Sequence, residues 1–253
     1  MELENLTSHE IDDNTKIFIL DIKEITFNLK NLIDKYFVKI CEWNSWTNIN
    51  EVKKKLQNYL KTKRWSDLEK WSIAEFFIHL FLNELWFKQE CMFFNLEENS
   101  IKKWFDGYYT LNSEEWIMES KSGSINSQNI THEDKIKKWY EDLKSKVWKK
   151  QANNPWANAY NHAMHRDVNT EISIAKNIKS FSSDYTNERF YDIWDFNIIP
   201  ASTIFLDWTW EEIDKDKLKA KITVKLSSFN FKKIMVVCVT KKTLQLIYDY
   251  LNI

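Results

Sequence analysis

Hydrophobic and polar positions change period several times along the chain. Lys16–Lys23 (KIFILDIK) is a short, nearly continuous apolar run between polar flanks, which predicts a strand. Residues 24–40 and 50–62 carry apolar side chains at helical spacing, with Ile25, Leu29, Leu32 and Ile33 in the first and Val52, Leu56 and Leu60 in the second. The polar residues 1–15 read as a loose start. Ser66 is placed to cap a helix that reaches about Lys88, with Ile73, Phe77, Leu80, Phe81 and Leu85 toward the core. Cys91–Asn95 is a short strand candidate. Phe105–Thr110 and Glu115–Lys121 are rich in aromatic and β-favouring residues, and a turn on Asn112-Ser113 joins them as a hairpin. Thr131, with Asp134 after it, starts a helix from His132 to about Trp148, striped by Ile136, Trp139, Tyr140, Leu143 and Val147. Asn154-Pro155 starts another. Residues 171–190 are polar and expected to be flexible. Ile198–Leu206 and Lys233–Thr240 are apolar strands flanking a helix from Trp210 to about Phe229, and Lys242–Leu251 closes as a helix. Continuous apolar strands separated by a helix predict a parallel pair buried on both faces.

This order predicts an α/β chain built on an α+β mixed sheet. It divides into a mainly helical N-terminal lobe, residues 1–65, and a larger domain, residues 66–253. The lobe ends in the basic run Lys61-Thr62-Lys63-Arg64. Apolar content of 43% is enough for a core, and two glycines with two prolines argue against a loop-rich chain. A net charge of −1 is not the basic balance of a free-standing nucleic-acid binder. Any such site must be a local patch, or a partner must supply affinity. Cys41, Cys91 and Cys238 lack metal-ligand spacing and read as buried thiols of a reducing compartment. The acidic N-terminus has no apolar signal core, and no apolar run has the length of a membrane span. A cytoplasmic protein without a membrane partner is expected.

The chemistry concentrates in the hairpin. Average usage would give about eighteen glycines in a chain of 253 residues. The two present, Gly107 and Gly123, flank Asp106 and Glu119-Ser120-Lys121. A turn on Asn112-Ser113 sets Thr110 opposite Glu115, Tyr108 opposite Ile117 and Asp106 opposite Glu119. Directly opposed residues share a sheet face, and so do Glu119 and Lys121, two positions apart. Opposed carboxylates destabilise a sheet unless a cation lies between them, and hard oxygen ligands suit Mg²⁺ or Mn²⁺. Other acid-x-Lys triplets, Glu51–Lys53, Glu133–Lys135 and Asp142–Lys144, fall in helices, where such residues point apart. Asp21-Ile22-Lys23 is the one rival at a strand end. The helix after the hairpin carries Lys135, Lys138, Lys146 and Lys149, a local patch able to neutralise phosphates. Its bland counterpart is a solvated helix face, as Glu141 and Asp142 dilute the charge. His162 and His165 share a helix face without a third ligand and read as packing or hydrogen-bonding groups. Glu75 is an acid inside an apolar helix, either on its wet face or directed to a site.

Asp106, a hairpin, Glu119-Ser120-Lys121 and a basic helix together resemble the PD-(D/E)XK superfamily of restriction-endonuclease-like nucleases, over roughly residues 70–240. The Asp106-Gly107 and Glu119–Gly123 wording is similar to that of the nuclease subunit of the Hachiman anti-phage defence system. Phe105 stands where the superfamily name has proline, and no Gln-x-x-x-Tyr element follows on the next helix. The resemblance implies a core of helix, three strands, helix and two strands within residues 66–253. It implies an Mg²⁺-dependent deoxyribonuclease with Asp106 and Glu119 as metal ligands, Lys121 as the catalytic cation, and Glu75 and Ser120 as further ligands. It also implies DNA as substrate and a helicase-type protein partner in a bacterial defence complex. A stand-alone restriction enzyme, and a non-catalytic scaffold or inhibitor whose hairpin charges form salt bridges, are the alternatives.

Overall fold

A seven-stranded mixed sheet with helices on both faces forms the computed structural model, which describes residues 6–43, 46–90, 105–127, 130–148, 154–165 and 168–252. The class is α/β. The chain runs β1 (Leu6–Asp12), β2 (Thr15–Ile22), α1 (Phe27–Glu42), α2 (Ile49–Thr62), α3 (Asp67–Glu84), β3 (Lys88–Gln89), β4 (Gly107–Leu111) and β5 (Glu114–Ser124). It continues with α4 (His132–Trp148), α5 (Pro155–Ala163), α6 (Ile172–Thr186), β6 (Asn197–Phe205), α7 (Lys215–Leu226), β7 (Lys233–Lys241) and α8 (Gln245–Leu251). The spatial order is β1-β2-β7-β6-β5-β4-β3. Strands β5, β6, β7 and β2 are mutually parallel, and β1, β4 and β3 pair antiparallel with their neighbours.

Alternate residues of the central strands feed two cores, as a pleated sheet covered on both sides requires. Phe18, Leu20, Met118, Ile199, Val237 and Val239 pack with α1, α2, α3 and α8. Ile17, Ile19, Ile117, Ile198, Val236 and Cys238 pack with α4, α5, α6 and α7. Every residue of β6 is buried, in keeping with its continuous apolar run. Trp156 of α5 anchors the second core against Phe105, Phe181 and Phe196.

Helix starts follow the cap chemistry. Ser66 Oγ accepts from Glu69 N–H, Thr131 Oγ1 accepts from Asp134 N–H, and Asn154 Oδ1 accepts from Trp156 and Ala157 N–H. Four expectations differ. Residues 6–12 form an edge strand, β1, although the stretch reads as polar, because an edge strand covers only alternate side chains. Residues 172–186 are helical, since Ile174, Ile178, Ser182 and Tyr185 bury one face. The helix expected from Trp210 starts at Lys215, where Asp214 accepts from Lys217 N–H. The helix expected to reach Lys88 stops at Glu84, and Lys88–Gln89 pairs with β4. The strand candidate Cys91–Asn95 lies outside the described residues. Within the expected N-terminal lobe, β2 pairs along its length with β7, and α1 and α2 join the core that packs under α3.

Among the described residues no helix is long and apolar enough to cross a membrane.

Candidate functional site

The hairpin register places the site. Asn112 and Ser113 adopt φ of 50° and 66°, the left-handed pair that a tight two-residue turn needs. Thr110 then pairs with Glu115, Tyr108 with Ile117 and Gly107 with Met118. Strand β5 has 11 residues and β4 has 5, so β5 outruns its partner. Asp106 sits where β4 begins. Its side chain replaces the missing backbone acceptor, with Ser120 N–H donating to Asp106 Oδ2 at 2.6 Å. On the other side of β5, Glu119 stands opposite Pro200 in β6.

Glu119 and Lys121 point toward α4. Lys146 of α4 lies 2.6 Å from both Glu119 carboxylate oxygens, and Lys121 Nζ lies 3.2 Å from Oε1. Lys121 also reaches Asp142 Oδ2 at 2.9 Å. Burial and then the neighbouring Glu119 push the Asp106 carboxyl up to about 7, against the pull of Lys146, the Ser120 N–H and Lys121. Burial opposes the charge on Lys121, but Glu119, Asp142 and Asp106 outweigh it and hold the ammonium above its ordinary value.

A cleft of about 830 Å³ opens beside this cluster. One wall is α3, with Lys70, Trp71 and Glu75. The other is α4, with Lys135, Lys138 and Asp142, and Asp106 with residues 120–124 forms the floor. Glu119, only 3% exposed, lies behind that floor. Glu75 Oε1 is 3.3 Å from His79 Nε2, and the fully buried His79 ring meets the Tyr109 hydroxyl through Nδ1. Burial and the neighbouring cations Lys138 and Lys121 lower the Lys135 ammonium from its ordinary value. Among the described residues no carboxylate pairs with Lys135 or Lys138, so this corner of the cleft suits an anion.

No protein-family model and no curated protein matches the chain.

The structure therefore brings Asp106, Ser120, Lys121, Glu75, Lys135 and Lys138 to one cleft. Lys146 is held by Glu119 instead of lining the cleft, and Lys149 lies outside the described residues. His162 and His165 do not line it. The rival Asp21 is buried at the end of β2 with Lys215 at 3.6 Å. Sequence reasoning missed Lys70, Trp71, Asp142, His79 and Tyr109. A helical projection from Glu75 would have placed Trp71 one turn earlier on the same face, with Lys70 beside it, but nothing in the sequence fixes that face toward the hairpin. Among the described residues no three His, Cys, Asp or Glu side chains cluster at metal-holding distance. The donors that fit a hard divalent cation are the two carboxylates Asp106 and Glu119, desolvated and close enough for one to raise the other.

Proposed function

We propose that this protein is a divalent-metal-dependent nuclease of the PD-(D/E)XK kind, acting on DNA. One observation carries the reading. Asp106, just before β4, and Glu119 of β5 adjoin Lys121 where β5 outruns β4; Asp106 and Lys121 line a cleft with Lys135 and Lys138, and Glu119 lies behind its floor. The element order adds support. Helix α3, the antiparallel strands β3, β4 and β5, then α4 and the parallel strands β6 and β7 follow the order expected of a restriction-endonuclease-like core.

Asp106 and Glu119 would hold Mg²⁺ or Mn²⁺, with Glu75 and Ser120 as further oxygen donors. A bound ion of this kind polarises a phosphoryl oxygen and acidifies bound water. The chain's own groups do the rest. Lys121 is held charged by its acidic neighbours and aimed by Asp142, so it opposes negative charge growing on a phosphoryl group. Lys135 and Lys138 position the phosphates of the strand. The resemblance to the Hachiman nuclease subunit extends the proposal to a defence effector controlled by a helicase-type partner. The near-neutral net charge of −1 agrees with a nuclease whose affinity depends partly on a partner.

Plasmid cleavage in Mg²⁺ or EDTA tests the reading, run alone and with the partner. Lys121→Ala should cut roughly 10²–10³-fold more slowly, the cost of removing one positioned donor, while calorimetry finds Mg²⁺ binding retained. Wild-type cutting by the variant would refute the role of Lys121.

A second reading has its own observation. Lys146, 2.6 Å from both Glu119 oxygens, balances the buried charge without any metal. In that reading the cluster is a structural ion pair and the protein a scaffold. Mg²⁺ would then leave the melting temperature unchanged, whereas a nuclease site should be stabilised by it.

A further inference from the structure

Trp71 is out of keeping with its helix. The other large aromatics of α3, Phe76, Phe77 and Phe81, are no more than 2% exposed, yet Trp71 is 49% exposed. It forms part of the cleft wall in a helix that otherwise buries nearly all its apolar side chains. A half-exposed indole on a concave wall is a flat apolar surface without a cover. The same cleft is lined by Lys135 and Lys138, two ammonium groups without a carboxylate partner among the described residues. A ligand that satisfies both walls has a planar ring at one end and a phosphate at the other.

We infer that Trp71 is a base-stacking platform and that the cleft takes an unpaired nucleotide, so that the substrate is single-stranded or locally unpaired DNA. The inference rests on the nuclease reading of the same cleft and names its substrate class. In a paired duplex both faces of each base are occupied by neighbouring bases. Away from the duplex ends, only an unpaired or extruded base has a face to offer Trp71. Aromatic stacking combined with a basic track is the physics of single-strand binding, and it tolerates any base because each has a π face. A cleft of about 830 Å³ has room for a few nucleotides. Lys70, adjoining Trp71 on the same wall, adds a cation on that side.

The test is fluorescence anisotropy in EDTA, which separates binding from cutting. The probes are a labelled thymidine oligonucleotide, the same strand with abasic sites, and a blunt duplex. Trp71→Ala should weaken binding to the base-bearing strand by roughly 5- to 150-fold. It should leave the abasic strand unaffected, and Trp71→Phe should retain most of the affinity. The wild type should prefer the single strand to the duplex. Equal losses on normal and abasic strands, no loss on either, tight binding of the blunt duplex, or no binding of any probe by the wild type would each overturn the inference. Cleavage in Mg²⁺ is scored separately. If the binding pattern holds and the wild type cuts nothing even with its partner, the nuclease reading fails and the stacking subsite stands. If the wild type cuts and Trp71→Ala binds every probe normally, the subsite alone falls.

Discussion

The contact between Lys146 and Glu119 allows the sharpest test of how the site is held together. Glu119 is almost fully enclosed, with 4% of its side chain exposed, and Lys146 reaches it from α4 with 24% exposed. Lys146→Met keeps the length of the side chain and removes its charge. Glu119 would then be left with Lys121 at 3.2 Å and with the repulsive Asp106 beside it. Stranding one member of a buried ion pair costs about 3–5 kcal/mol. Lys121 remains as a second cation and Lys146 is partly solvated, so the loss should fall at or below the bottom of that range, at about 2–3 kcal/mol. Glu119→Gln removes the acid instead. It frees Lys146 to turn toward water and relieves Asp106, so its cost should be smaller, about 1 kcal/mol. In the double variant the two effects should overlap, with a coupling of about 2 kcal/mol. Urea unfolding in EDTA measures all four corners of the cycle. A Lys146→Met protein within about 0.5 kcal/mol of wild type, the range of ordinary surface substitutions, would refute the reasoning. The same variants address the metal. If Asp106 and Glu119 bind Mg²⁺, removing Lys146 removes a competitor for Glu119, and Mg²⁺ should stabilise Lys146→Met more than the wild type.

Two further outcomes follow from buried groups. His132 lies between Ser202 and Thr240, and burial lowers its pKa from 6.5 to about 4. Between those values the unfolded chain takes up a proton that the folded chain refuses, so the His132 contribution to stability falls as pH drops through this window, by about 3 kcal/mol in all, while the raised Asp106 carboxyl contributes in the opposite direction. His132→Gln should remove that contribution, seen as a urea midpoint that gains on the wild type between pH 7 and pH 4. A Cβ added at Gly107 would lie 2.4 Å from the Tyr109 ring and 3.1 Å from the end of Met118. Gly107→Ala should cost about 1–3 kcal/mol as the buried ring is displaced, measured by thermal unfolding, and Gly123→Ala should cost less because it meets flexible side-chain ends.

The hairpin was legible because three local signals agreed: β-favouring flanks, a turn pair tolerant of positive φ, and an alternation that sets Asp106 against Glu119. The apolar strands β6 and β7 and the caps at Ser66, Thr131 and Asn154 were legible for similar reasons, since each depends on neighbouring residues alone. The illegible parts depend on distant ones. The residues of β1 are half-covered by a single neighbouring strand, so their pattern stays polar. Helix α6 buries Ser182 among its core positions, which breaks the apolar stripe. Lys146 borders Val147 on the edge of the α4 stripe. The sequence marks it as one basic residue among several, and only the placement of α4 over β5 turns it toward Glu119. The chemistry of Trp71 likewise depends on which side of α3 faces the end of the hairpin.

The two glycines serve this stretch by different routes. Gly107 gives room on the α3 side of the sheet. The Tyr109 ring occupies the space a Cβ would need, and its hydroxyl holds His79, which in turn meets Glu75 on the cleft wall. Gly123 gives room in the cleft itself, where the Lys135 Cε and Nζ atoms lie 3.0 Å from the position of an added Cβ. A side chain there would press on the ammonium that has no carboxylate partner among the described residues. One glycine thus fixes an acid through a buried hydrogen-bonded chain, and the other lets a base lie close over the strand. If only the hairpin turn had needed glycine, the residues at its tip would have been glycine, yet Asn112 and Ser113 occupy those positive-φ positions. Gly123 instead lines the cleft, and Gly107 lies beneath the buried Tyr109 ring, so neither glycine serves the bend.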